Sequence, residues 1–169
     1  MEWTAAILTV SDKGSRGQRQ DTSGPALREM LEAAGYQVVY ATIIPDEFEL
    51  IARELRHCCD GLGVCLALTT GGTGFSPRDI TPEATLSVVE REARGIPEAM
   101  RAYSMTITDR ACLSREAAGI RGTTLIVNLP GSRKAATENL SAVIGPIRHG
   151  VEILRGEDAD CGEEHHHHN

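Results

Sequence analysis

The chain has 169 residues, 41% of them apolar and 24% charged, with a formal net charge of −7. That length suits one domain with a sizeable core, and the mix is that of an ordinary globular protein. The acidic balance argues against bulk nucleic-acid binding, which needs a basic surface, but leaves room for a small anionic ligand at a locally basic site.

No run of about 20 apolar residues offers a membrane span, and the opening MEWTAAILTV lacks the basic start and cleavage site of a signal peptide. A cytoplasmic location is expected. The five cysteines, Cys58, Cys59, Cys65, Cys112 and Cys161, are odd in number and lack zinc-ligand spacing, so they read as free thiols. Aromatic residues are few, and the core must be aliphatic and rich in Ala.

In chain order, Ala5–Val10 is an apolar run that reads as a buried strand. The polar stretch SDKGSRGQRQDTSG reads as a loop. PALREMLEAAG places Leu27, Met30, Leu31 and Ala34 at helical spacing, with Pro25 in the first turn and Gly35 as the stop. YQVVYATII is a second strand. A helix is expected from Asp46 as N-cap, with Glu49 completing a capping box and Phe48, Ile51, Leu55 and Cys58 on one face. GVCLALTT is a third strand. After a glycine loop, Thr81-Pro82-Glu83 predicts a helix start with Thr81 as N-cap. Pro97-Glu98-Ala99-Met100 predicts another. Ala117–Ile120 reads as a short strand turning at Arg121-Gly122, and TTLIVNL as the last strand. Pro130-Gly131-Ser132 then leads into a helix carrying Ala136, Leu140, Val143 and Ile147. Strands alternating with helices predict a three-layer α/β domain with a mostly parallel sheet over residues 1–156. The polar tail, 157–169, is expected to be disordered, its His165–His168 run being either a tag remnant or a native metal-binding tail.

Four strands end in loops with chemical content: Val10-Ser11-Asp12, Pro45-Asp46-Glu47, Thr70-Gly71-Gly72-Thr73-Gly74 and Asn128-Leu129-Pro130-Gly131-Ser132. In an open parallel sheet such loops share the carboxyl edge, where ligands bind. The glycine loop is neither a dinucleotide fingerprint, because Pro77 stands where the third Gly belongs, nor a P-loop, because no Gly-Lys-Ser/Thr follows. It reads either as a tight strand-to-helix turn or as a loop that lets backbone N–H groups approach an anion. Asp46 and Asp79 likewise have two readings: helix cap and turn residue, or carboxylates that support Mg²⁺ beside phosphates. Lys13, Arg16, Arg78, Arg115, Arg133 and Lys134 would suit an anionic ligand. His57 and His149 fall near helix ends and read as surface residues.

The blocks LTVSDKGSRG, DTSGPAL, IIPDE, LTTGGTGFSPRDITPEAT, LSR, AGIRG and TLIVNLPGS together resemble the molybdopterin adenylyltransferase family, which includes the bacterial Mog proteins and the G domains of gephyrin and its plant counterpart. The resemblance runs from Ala5 to Leu154. It implies an α/β/α molybdopterin-binding fold, a homotrimer, and Mg²⁺- and ATP-dependent adenylylation of molybdopterin, with hand-over to a molybdate-insertion protein. Carried over by motif, Asp46 and Asp79 serve catalysis and metal. Gly71, Gly72, Thr73, Gly74, Pro130, Gly131 and Ser132 hold the nucleotide. Ser11, Asp21, Ser104, Ser114 and Arg115 lie on the pterin side. Two departures stand out: Arg133-Lys134 where many bacterial members have Pro, and Glu116 after the LSR block.

Overall fold

The computed structural model describes residues 1–157. The expectations for the tail beyond Glu157, including Cys161 and His165–His168, lie outside the described residues. Six strands form one sheet: β1 (Thr4–Val10), β2 (Gln37–Ile44), β3 (Leu66–Thr70), β4 (Arg91–Glu92), β5 (Ala118–Arg121) and β6 (Thr124–Leu129). Their order is β2-β1-β3-β6-β5-β4. The first four in that order run parallel, and β5 and β4 add an antiparallel edge. The helices are α1 (Asp12–Ser15), α2 (Ser23–Ala33), α3 (Phe48–Arg56), α4 (Thr81–Val88), α5 (Gly95–Met105) and α6 (Arg133–Leu154).

Side chains alternate across a strand, so a strand buried on both faces reads as one continuous apolar run. β1 shows the consequence. Ala5 and Ile7 pack with Leu27 and Leu31 of α2, Met100 of α5, and Leu140 and Ile147 of α6. Ala6, Leu8 and Val10 face the other way, against Ile51 and Leu55 of α3 and Ala84 and Val88 of α4. These are the three layers the alternation of elements predicts. Leu31 is fully buried, and its truncation to Ala would cost about 2–5 kcal/mol.

Several local expectations are corrected. The loop after β1 contains a helical turn, α1, whose cap is the Ser11 hydroxyl accepting from Gly14 N–H at 2.9 Å. Asp46 is not the N-cap of α3: Glu47 holds that position without a side-chain bond, because the Asp46 carboxylate is drawn across to α1. Thr81 is the first residue of α4 rather than its cap, which is Ile80. Phe48 is partly exposed, whereas Ile51, Leu55 and Cys58 are buried. Strand β4 has two exposed residues and no alternation to read. The expected placement of the four chemical loops holds: β1, β2, β3 and β6 are parallel neighbours, so all four loops leave the same edge.

Candidate active site

A cavity of about 730 Å³ opens at that edge, lined by the loops after β1, β2, β3 and β6. Its centre is a reciprocal pair. Asp12 N–H donates to Asp46 Oδ2 at 2.9 Å, and Asp46 N–H donates to Asp12 Oδ1 at 3.0 Å. Arg78 closes the cluster, with Nε and Nη2 each 3.0 Å from an Asp12 oxygen. Lys13, Arg19, Arg78 and Arg133 all line the cavity, giving an acidic protein one concave, cation-bearing surface. The N-terminus of α6, Ser132 and Arg133, stands in the same wall, where the helix dipole and N–H groups of the first turn favour an anion.

The glycine loop is shaped by close approach. At Gly71 φ is +106°, and a Cβ there would lie 2.2 Å from the carbonyl oxygen of Val10. Only a residue without one lets β3 leave the sheet beside β1. The next turn hangs on Asp79, whose Oδ2 accepts from Gly74 N–H and Ser76 N–H, both at 3.1 Å. Arg115 braces it from outside: Nε donates to Gly74 O at 2.8 Å, Nη2 to Asp79 O at 2.9 Å, and Nη1 pairs with Glu83. Thr70 Oγ1 and Ser23 Oγ donate to Pro130 O and Gly131 O, each at 2.7 Å. Ser132 caps α6 by accepting from Ala135 N–H.

The carboxylates at the centre feel opposite fields. The Arg78 hydrogen bonds hold Asp12 below the usual carboxylate range. Burial pushes Asp46 up, and the Asp12 and Asp79 charges add to the shift. A cation would relieve that crowding. No group of three or more His, Cys, Asp or Glu residues is poised around one metal among the described residues, but Mg²⁺ uses only one or two carboxylates, with water and phosphate oxygens completing the shell. Asp46 and Asp79 both line the cavity, and each hydrogen-bonds through Oδ2, with no bond to Oδ1 among the described residues. The donor set fits Mg²⁺.

A second cavity, of about 280 Å³, lies on the other side of the same loops. The chain passes from one to the other within single residues. Gly71 and Gly72 line the first, Thr73 and Gly74 the second; Pro130 lines the second, Gly131 and Ser132 the first. The expected pterin residues divide likewise. Ser11 and Asp21 line the large cavity, Ser104 and Ser114 the small one, and Arg115 neither. Both Asp21 oxygens are engaged, by Thr9 Oγ1 at 2.8 Å and Gly24 N–H at 2.9 Å, so it fixes the start of α2. Asn139 Nδ2 donates to Ser104 Oγ at 2.7 Å. Sequence reasoning passed over Asp12 and Arg19 as site residues. The signal for Asp12 was its place directly after a buried strand; Arg19 had none beyond its charge.

Residues 6–149 match the family described as "Probable molybdopterin binding domain". The chain is 40% identical over 160 residues to the molybdopterin adenylyltransferase of Helicobacter pylori, covering 94% of this chain and 91% of that protein. It is also 40% identical over 164 residues to the molybdenum cofactor synthesis protein cinnamon of Drosophila melanogaster, covering 96% of this chain but spanning only 27% of that longer protein. Among solved structures, the molybdopterin biosynthesis enzyme MoaB of Thermus thermophilus superposes with a TM-score of 0.87 at 47% identity, covering 91% of this chain and 97% of that one. A match over residues 6–149, in a sheet whose carboxyl edge carries the acidic cluster and the glycine loop, means that the chain belongs to the molybdopterin-binding domain family.

Proposed function

We propose that the protein is a molybdopterin adenylyltransferase, converting ATP and molybdopterin to adenylyl-molybdopterin and pyrophosphate. The observation that carries this is the large cavity, where Asp46 and Asp79 are ringed by Lys13, Arg19, Arg78 and Arg133 in a protein of net charge −7. Carboxylates and cations together suit a metal-bound polyphosphate; cations alone would suit a simple anion. The relatives named as adenylyltransferases support the same reading.

The terminal phosphate of molybdopterin would attack the α-phosphorus of ATP, forming a P–O bond as the bond to the β-phosphate oxygen breaks. The nucleophile is ionised at neutral pH and needs no strong base, consistent with neither cavity being lined by a described histidine. Glycine-loop N–H groups and the α6 N-terminus would orient phosphates, and the basic residues would take up charge on the leaving pyrophosphate. Asp46 and Asp79 would hold Mg²⁺ through their Oδ1 atoms, and bound Mg²⁺ supplies charge neutralisation between phosphates. Asp12 fixes the Asp46 carboxylate, and Arg115 and Asp79 fix the glycine loop. The nucleotide then belongs to the large cavity, and the pterin ring to the small one beside Ser104 and Ser114.

We also infer a homotrimer, working in the cytoplasm and passing its product to a molybdate-insertion protein. No helix of the described residues is long and apolar enough to cross a membrane. The deciding experiment mixes the protein with molybdopterin, ATP and Mg²⁺. An AMP-bearing pterin and pyrophosphate are expected, both lost on omitting Mg²⁺. Tight pterin binding without either product would make the chain a binding module. Light scattering checks the trimer, which a monomer at micromolar concentration would contradict.

A further inference from the structure

Glu116 is the most anomalous polar group among the described residues. It is 3% exposed, and both of its carboxyl oxygens are buried without a hydrogen-bond partner. Buried polar groups are almost always paired, and an exception calls for a cause. Several neighbouring donors bond elsewhere. Arg101 Nη1 donates to the backbone oxygens of Ser114 and Glu116, at 3.4 and 3.0 Å. Asn139 donates to Ser104, and Asn128 to Thr69 and Thr85. The Ser114 hydroxyl is near enough to favour the charged carboxyl, as is the Arg101 charge, yet no bond of proper geometry forms. Glu116 also forms part of the wall of the small cavity, together with Thr73, Gly74, Ser104, Ser114 and Pro130. A ligand in that cavity can satisfy it.

Two acceptor oxygens in one plane match two parallel N–H donors. We propose that Glu116 is a specificity residue of the small cavity, its carboxylate accepting hydrogen bonds from the 2-amino-4-oxopyrimidine edge of a pterin, through the ring N–H and the exocyclic amino group. The proposal rests on the reading of the small cavity as the pterin side of the site. It adds that this chain, which carries an acid directly after the LSR block, reads the amino group of the ring and not only its shape. A small side turn of Glu116 on binding would bring both oxygens to the ligand and end their isolation.

The test uses two probes: neopterin, and the matching lumazine, in which a carbonyl replaces the 2-amino group. Binding is read by the probes' own fluorescence, and adenylylation of molybdopterin is measured on the same protein. Wild type is expected to bind neopterin about 10–100-fold more tightly than the lumazine, because a site built for a donor rejects an analogue that presents an acceptor there. Glu116→Gln should lose most of that preference and raise KM for molybdopterin by a similar factor, with kcat and KM for ATP unchanged. If wild type adenylylates molybdopterin yet binds both probes equally, the inference falls and the proposed function stands. If wild type prefers neopterin in a Glu116-dependent way but makes no product, the function falls and the inference stands. The wild-type preference needs no variant, so poor folding of Glu116→Gln does not shield the proposal.

Discussion

The cavity at Asp46 and the cavity at Glu116 are separated by one strip of backbone, and they treat charge in opposite ways. Around Asp46 the polar groups have partners: Arg78 pairs with Asp12, and each Asp backbone N–H donates to the other's carboxylate. Burial and neighbouring carboxylates raise Asp46, but it stays open to the cavity. Around Glu116 neither carboxyl oxygen has a hydrogen-bond partner, and burial, only partly offset by the Arg101 charge and the Ser114 hydroxyl, pushes its carboxyl up to about 7. The first arrangement pairs its groups within the protein and, on the proposed function, awaits a cation and phosphates. The second is costly until something enters. A fold can build a phosphate site mainly from main-chain ends and surface-length side chains. On the proposed role of Glu116, this chain recognises a flat heterocycle with a buried polar group that lacks a partner until the ligand arrives.

Changes at four residues sharpen or break that contrast. The largest effect is expected from Asp46→Asn, which keeps an acceptor for Asp12 N–H and removes the charge. Turnover should fall by about 10²–10³, by analogy with loss of one preorganised electrostatic group, and any remaining activity should need more Mg²⁺. Melting should barely move, since relief of carboxylate crowding offsets the weaker bond. Turnover measured against Mg²⁺ concentration checks this, and wild-type behaviour would remove Asp46 from the metal site.

Next is Glu116. Its folded pKa, about 7, lies above the ordinary 4.5, so between those values the folded chain holds the proton more tightly than the unfolded one. The contribution of this group to stability is therefore complete below about pH 4.5 and is lost as pH rises through about 7, by about 3 kcal/mol in total. Glu116→Gln should abolish that slope and be the more stable form at about pH 8. Urea midpoints for both proteins on either side of the window decide it; parallel curves would mean that Glu116 is not isolated.

Smaller effects are expected in the shared wall. Arg115→Lys replaces a fork that reaches Gly74, Asp79 and Glu83 with a single point charge, and should cost about 1–2 kcal/mol while weakening ligands of both cavities. At Asp79 two substitutions separate roles. Asp79→Ala strands the Gly74 and Ser76 N–H groups and should cost about 1–2 kcal/mol, whereas Asp79→Asn keeps an acceptor and most of the stability. Both should lose most turnover if Asp79 supports the metal. A full-rate Asp79→Asn would leave Asp79 as the loop's organiser only.

The layers and the common loop edge were legible because they follow from two periodicities, the apolar runs of β1, β3 and β6 and the spaced Leu and Ile of α2 and α6. The glycine loop and the two aspartates were legible as chemistry. The job of each side chain was not. Asp46 looked like a cap because a carboxylate before a helix usually is one; its true partner is 34 residues earlier in the chain. Asp79 read as either a turn residue or a metal carboxylate, and its bonds to Gly74 and Ser76 N–H suit the turn; Arg115 read as a pterin-side contact, yet most of its bonds go to backbone. The division of GGTG between two cavities depends on where the chain turns in space, which no local pattern carries. Glu116 was visible only as an odd residue after LSR, since its isolation comes from what the surrounding helices do with their own donors.

The central claim is that the two cavities are separate receptors sharing one wall. The most direct test titrates wild type, Asp46→Asn and Glu116→Gln with ATP and Mg²⁺ in one series and with neopterin in another. Independent sites should respond independently. Asp46→Asn is predicted to weaken the Mg²⁺-dependent binding of ATP by about 10-fold or more while leaving neopterin within about 2-fold of wild type, and Glu116→Gln to do the reverse. Equal weakening of both ligands by either substitution would contradict the account and make the two cavities one continuous site.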